Sequence, residues 1–113
     1  MSREWRFYLR DMRDSCSRIL NYSKGLERKV FDGHGIEYDA ILRNLETLGE
    51  AAGKIPVEIR DQEREVAWQK LIGMRNIIVH EYFGIDDDII WDVVTAEIAP
   101  LYILIEKLVL RYP

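Results

Sequence analysis

Three features of this chain point to an all-α fold, an antiparallel four-helix bundle with a short extra helix between helices two and three. Apolar residues recur at three-to-four spacing through four long stretches, the period that gathers side chains on one helix face. Breaks marked by glycine or proline separate those stretches, at Gly25, at Gly33 and Gly35, at Gly53 and Pro56, and at Gly84. The 113 residues, 48% of them apolar, suffice for one modest core and not for two. Residues 1–113 are therefore read as a single domain.

Trp5, Tyr8, Leu9, Met12, Cys16, Ile19 and Leu20, with charges between them, predict helix one over residues 3–24, stopped by Gly25. Residues 26–34 read as a polar connection, and His34, between two glycines, as an exposed turn residue. Helix two is expected over 36–54, with Tyr38, Ile41, Leu42, Leu45, Leu48 and Ala52 facing inward and Gly53 near its end. Pro56 opens a short charged connection or single-turn helix to about residue 63. Helix three is expected from Arg64 and carries two adjacent stripes. One is Ala67, Leu71, Met74 and Ile78; the other is Trp68, Ile72, Arg75 and Val79. Two stripes predict burial over a wide arc, as at a bundle centre or a subunit interface. Asp86 reads as an N-cap for helix four, over about 87–111, with Asp87 and Asp88 in its first turn. Ile90, Val93, Val94, Leu101, Leu104, Ile105 and Leu108 should be buried there, and Pro100 should cost the bond to Ala96 and kink the helix.

The composition narrows the function. No apolar run approaches the ~20 residues needed to span a bilayer, and the first residues form no apolar signal segment, so a cytoplasmic protein without a membrane partner is expected. Cys16, the single cysteine, reads as a buried thiol in a reducing compartment. A net charge of −4 argues against a general nucleic-acid coat but not against a small basic cleft. Residues 3–30 hold eight basic side chains, Arg3 the first of them, against four acidic ones. That excess reads as a solvated face able to steer an anion. No Walker-type loop, dinucleotide fingerprint or calcium-loop pattern is present, so neither a cofactor nor a metal is expected.

The run Gly73-Met74-Arg75-Asn76-Ile77-Ile78-Val79-His80-Glu81-Tyr82-Phe83 concentrates the chemistry. Arg75 offers a planar, permanently charged fork suited to phosphate oxygens. His80 can exchange a proton near neutrality. Asn76 and His80 are i, i+4 and share a face, whereas Arg75 and His80 lie roughly 140° apart on an ideal helix. They converge if Arg75 reaches round, if the helix ends near His80, or if a second subunit completes the site. Arg75 lies within an apolar stripe and needs a carboxylate or phosphate partner. Glu46 and Glu50, also i, i+4, could bind a metal or do acid–base work, but read better as partners for Arg75 or as a solvated edge.

On these residues the chain resembles HEPN-domain proteins, and more closely the HepT-like toxins of HepT–MntA toxin–antitoxin systems. The resemblance covers nearly the whole chain. It rests on Leu48-Gly49-Glu50-Ala51-Ala52, on Trp68-x3-Ile72-Gly73-Met74-Arg75-Asn76, and most specifically on Arg75-x4-His80-x-Tyr82. It implies a HEPN-like bundle and a metal-independent endoribonuclease acting as a homodimer of type VII-like systems, the two motifs facing each other. In that picture Arg75 holds the scissile phosphate, His80 acts as general base or acid, and Asn76 and Glu50 support them. The resemblance further implies an MntA-like nucleotidyltransferase antitoxin that transfers AMP to Tyr82, silencing the site by bulk and charge. Two other readings stay open: a non-catalytic nucleotide- or substrate-binding subunit of a two-component nucleotidyltransferase, and a structural dimer with Arg75 paired to Glu46 or Glu50.

Overall fold

A computed structural model describes residues 4–113, so Arg3, the first residue of the expected helix one, lies outside the described residues. Every regular element among them is helical: α1 (Trp5–Ser23), α2 (Arg28–Asp32), α3 (Ile36–Gly53), α4 (Val57–Gln62), α5 (Trp68–His80), a 3-10 turn (Tyr82–Gly84), α6 (Asp87–Asp92), a π-helical turn (Val93–Glu97) and α7 (Ile98–Arg111). The segment from α6 through α7 is one continuous helix, so the architecture is the expected four-helix bundle, and α4 is the expected extra helix.

Helix α1 packs on α3 and on α7, and α3 packs on α5. Leu9, Met12, Cys16 and Ile19 of α1 meet Ile41, Leu45, Leu48 and Ala52 of α3 in a fully or almost fully buried core. Burial pushes the Cys16 thiol up to about 12, which leaves it protonated and unreactive at neutral pH. Gly25, at φ 72°, takes the left-handed conformation that lets the chain turn after α1.

Four expectations need correction. Helix α5 begins at Trp68, not at Arg64, because residues 64–66 form a turn that buries Val66. The Trp68 indole N–H donates to the Glu63 carbonyl, and the Trp68 amide to that of Val66, which sets the start of the helix. The connection after α1 is not wholly irregular: α2 forms and places Phe31 in the core against Tyr38 and Trp91. The second stripe of α5 is not fully buried, since Val79 is 39% exposed and Arg75 and Ile72 are half-buried. Leu101 and Leu104 are likewise only half-buried, because α5 and α7 face each other across an apolar groove that they line with Leu71 and Met74.

The disturbance expected at Pro100 is taken up upstream. Ile98 N–H reaches the Val93 carbonyl, an i→i−5 bond that inserts a π turn. Val93, Val94, Ile105 and Leu108 point inward as expected, and past the π turn Ile98 is buried as well, while Leu101 and Leu104 are not. Asp86 caps α6 as expected, accepting from the Asp88 amide at 2.9 Å and the Ile89 amide at 3.4 Å.

Two polar staples fasten the ends of the bundle. His34 is exposed in the turn, as expected, yet it is tied to the helices around it. Its φ is 54°, its ring stacks on Tyr38 at 3.8 Å, and its Nε2 lies 2.6 Å from the Asp87 carboxylate, which also accepts from the Tyr38 hydroxyl at 2.9 Å. Burial alone would raise the Asp87 pKa, but the hydrogen bonds from His34 and Tyr38 outweigh it and hold the carboxyl below its ordinary value. Burial and that bond to Asp87 push the Tyr38 phenol well up. Arg28 reinforces the corner by bonding both Asp32 and Asp88. At the other end Glu63 accepts from Arg111 and from the Tyr112 hydroxyl, and these bonds hold its carboxyl below the ordinary value.

Candidate functional site

The polar residues of the sequence motif sit on the C-terminal half of α5 and the turn that follows. Helix α5 ends at His80 because Glu81 leaves helical geometry (φ −133°, ψ 43°), while its amide still reaches the Ile77 carbonyl at 2.8 Å. The chain then tightens into the 3-10 turn that carries Tyr82. The helix thus ends at His80, but Arg75 and His80 make no contact with each other among the described residues.

Arg75 is set by its contact with α3. A Cβ built on Gly49 would fall 2.4 Å from the Arg75 Cβ and 2.5 Å from the Leu71 carbonyl oxygen. Only a residue without a side chain admits this approach, so Gly49 brings the stem of Arg75 directly against α3. One turn of α3 places Glu50 beside it. Arg75 Nε is buried and lies 2.9 Å from Glu50 Oε2, but its N–H is not aligned with the carboxylate, so the contact is an ion pair rather than a hydrogen bond. The terminal amino group donates to the Asn76 amide oxygen at 3.1 Å. Glu46 pairs with Arg43 instead, at 3.1 Å. Of the two carboxylates read as alternatives, the packing brings Glu50 to the arginine and leaves Glu46 apart.

His80 is exposed on the last turn, and Tyr82 is 47% exposed, its ring edge-on to Phe83 at 5.5 Å. Among the described residues, the partners of Arg75 are Glu50 and Asn76, not His80. The motif thus presents a held guanidinium and an open imidazole at two positions along one helix. Around them Ile77, Val79 and Phe83 are uncovered apolar surface, Phe83 completely so.

A shallow depression of about 370 Å³ separates α3 from the end of α5, lined by Asp39, Leu42, Arg43, Glu46, Ile78 and Tyr82. The sequence reading missed Arg43 as a member of this surface. Its i, i+4 and i, i+3 spacing to Asp39 and Glu46 was the available signal. Among the described residues, no cluster of three or more His, Cys, Asp or Glu side chains is arranged to hold a metal. No helix there is long and apolar enough to cross a membrane.

The profile of the family described as "Ribonuclease HepT-like" matches residues 12–108 of this chain. A provisionally named RNase of Caldanaerobacter subterraneus subsp. tengcongensis is 34% identical over 94 residues, covering 83% of this chain and 84% of that protein. Another provisionally named RNase, from Methanocaldococcus jannaschii, is 33% identical over 108 residues, 95% of this chain and 88% of its own. A protein of Thermococcus cleftensis named "Probable ribonuclease HepT" is 30% identical over 108 residues, 96% of this chain and 98% of that one. No solved structure gives a significant match.

Proposed function

This chain belongs to the ribonuclease HepT-like family, and from that membership we propose that it is a metal-independent endoribonuclease. Its site is Arg75 and His80 at a homodimer interface, supported by Asn76 and Glu50. The observation that carries this reading is the pairing of a half-buried, packing-held Arg75 with an open His80, on a face whose Ile77, Val79 and Phe83 are uncovered. A structural arginine would be spent on its carboxylate. Arg75 meets Glu50 through a misaligned contact and keeps terminal N–H groups for a phosphate.

The chemistry follows from the groups. Arg75 binds the scissile phosphate and stabilises charge that builds on it as the substrate's 2′-hydroxyl attacks phosphorus. One His80 takes the hydroxyl proton. The P–O bond to the 5′-oxygen breaks, and that oxygen receives a proton from the partner's copy of the same histidine. The products are a 2′,3′-cyclic phosphate and a 5′-hydroxyl. Each protomer holds one well-placed imidazole, which is why a base-and-acid pair requires two subunits. The uncovered apolar rim supports the same arrangement.

The protein is further proposed as the toxin of a toxin–antitoxin pair, silenced by an MntA-like nucleotidyltransferase. The Tyr82 oxygen attacks the α-phosphorus of ATP, its proton goes to solvent or a base, and pyrophosphate leaves with the bonding electron pair. Tyr82 is accessible to such a partner at 47% exposure, two residues from His80. A phosphodiester there sets bulk and negative charge against incoming RNA.

The test is cleavage of single-stranded RNA in EDTA by protein purified without a partner and shown by intact mass to carry an unmodified Tyr82. Wild type is expected to cut and His80→Ala protein, prepared alongside, is not. Intact RNA in both samples would favour the nucleotide-binding subunit instead. Tyr82→Phe protein is expected to keep cleaving after incubation with the transferase and ATP.

A further inference from the structure

A second basic site lies at the opposite end of α5. Between α4 and the start of α5 is a depression of about 460 Å³, lined by Val57, Arg60, Asp61, Arg64, Trp68 and Lys70 among others. Two of these arginines are held by the backbone. Arg60 Nε donates to the Ile55 carbonyl at 3.0 Å, and Arg64 Nε to the Asp61 carbonyl at 3.1 Å. Each bond uses the one N–H next to the stem and leaves the terminal amino groups free. Among the described residues neither guanidinium is paired with a carboxylate, whereas Lys70 is paired with Glu97. Asp61 lines the same depression and offsets part of its charge, but two held arginines against one carboxylate leave it positive. Forks fixed by carbonyl bonds lose little entropy on gripping a further anion.

The position on α5 says which anion. Trp68 and Gln69 border the depression, and Arg75 and Asn76 lie seven residues further on. The depression is bordered by Ala67, Trp68, Gln69 and Lys70, a full turn, so it sits at the N-terminal end of α5; seven residues carry the helix on by close to two turns, about 10.5 Å along the axis. A positive pocket at one end of a helix and a phosphate-binding arginine about two turns along it are spaced for an extended strand of a few nucleotides.

We infer that the Arg60/Arg64 pocket binds a backbone phosphate of single-stranded RNA a few nucleotides from the phosphate on Arg75, setting the direction and minimum length of the substrate. The inference rests on the ribonuclease reading. It assigns the pocket no role in bond breaking; Arg60 and Arg64 are positioning residues. Because it contacts phosphate and not base edges, it adds affinity without sequence preference.

The experiment measures binding, so it does not depend on turnover. His80→Ala protein is titrated with a labelled RNA hexanucleotide and a labelled dinucleotide over a range of salt, with and without Arg60→Gln and Arg64→Gln. The double variant is expected to weaken the hexanucleotide about tenfold, the loss typical of a charge-assisted contact. It should flatten the dependence of log K on log salt by about 0.7 for the phosphate lost. The dinucleotide, too short to reach, should bind as before. Arg64→Gln alone, an exposed substitution, should give part of the effect with the thermal unfolding midpoint unchanged, which separates it from loss of folding. Arg60→Lys with Arg64→Lys should restore the salt slope but not the full affinity. An unchanged hexanucleotide affinity overturns the inference, as does an equal loss for both RNAs. Inorganic phosphate that binds the pocket without the hexanucleotide responding to its loss also overturns it, marking a site for a free anion. Failure of the ribonuclease reading is read separately, from intact RNA in the cleavage assay.

Discussion

The chain has two histidines, and the regions around them are opposites. At the corner of α2, α3 and α6, His34 is stacked on Tyr38 and bonded to Asp87, Tyr38 is bonded to the same carboxylate, and Arg28 spans two more acids. At the end of α5, His80 is open, Arg75 meets Glu50 in a misaligned pair, and the neighbouring Ile77, Val79 and Phe83 are uncovered. The first cluster satisfies itself, so its chemistry is used up in holding helices together. The second keeps donors, a proton carrier and apolar surface available. A histidine beside a carboxylate and a phenol looks more like a catalytic group than a bare one does, yet its saturation marks it as a staple. The group that can serve a substrate is the one the fold leaves incomplete.

That contrast can be broken by substitution. The largest effect is expected from Arg75→Lys, which keeps the charge and loses the fork: RNA cleavage should fall by about a hundredfold, the scale of one lost transition-state donor. The unfolding midpoint should barely move. If activity survives, the α5 cluster is no site and the contrast collapses. Next is Gly49→Ala, whose new Cβ has no room against Arg75 and the Leu71 carbonyl. It should cost about 1–3 kcal/mol in denaturant unfolding, the usual penalty for overpacking, and should lower activity as well by displacing Arg75. A neutral result would show that α3 and α5 can part without consequence. For the other cluster, His34→Ala should lower stability by about 1 kcal/mol in the same assay while leaving cleavage rates near wild type. A large loss of activity at unchanged stability would move His34 from staple to site.

The smallest effect concerns acid. Asp87 and Glu63 both have folded pKa values below their ordinary 3.8 and 4.5. A depressed carboxyl stabilises the fold fully above its unfolded value and loses that contribution as pH falls through the folded one. Near neutral pH both groups should contribute fully and the unfolding midpoint should not change with pH on their account; it should fall below about pH 4. Asp87→Asn and Glu63→Gln should each blunt that fall. Because Arg111 is 56% exposed, the Glu63 share should shrink with added salt.

Much of this molecule was legible along the chain. Four periodic stretches became four helices, Gly25 and Asp86 act as stop and cap, and Cys16 is buried. The motif lies where periodicity and the Gly84 break put it, at the end of a helix. These features depend on residues within a few positions of one another, and helical geometry relates such residues directly. The errors lie where burial and side-chain contacts override the local pattern. The start of α5 at Trp68 is set by Glu63 and the burial of Val66, and a run of helix-compatible residues gives no sign of it.

By itself, then, the sequence determined the helices, most of their inward faces, the position of Arg75, Asn76 and His80 on one of them and that of Tyr82 just beyond its end. Only the tertiary structure decided that Glu50 and not Glu46 reaches Arg75, that Gly49 is the contact allowing it, and that His34 is tied to Asp87. It also decided that a π turn would interrupt the last helix and that Leu101 and Leu104 would lie on a groove. The reason is physical. A repeat of 3.6 residues assigns each side chain a direction around its own helix, whereas its partners depend on how closely and at what height two helices cross. At Gly49 that height is set by the absence of one carbon atom.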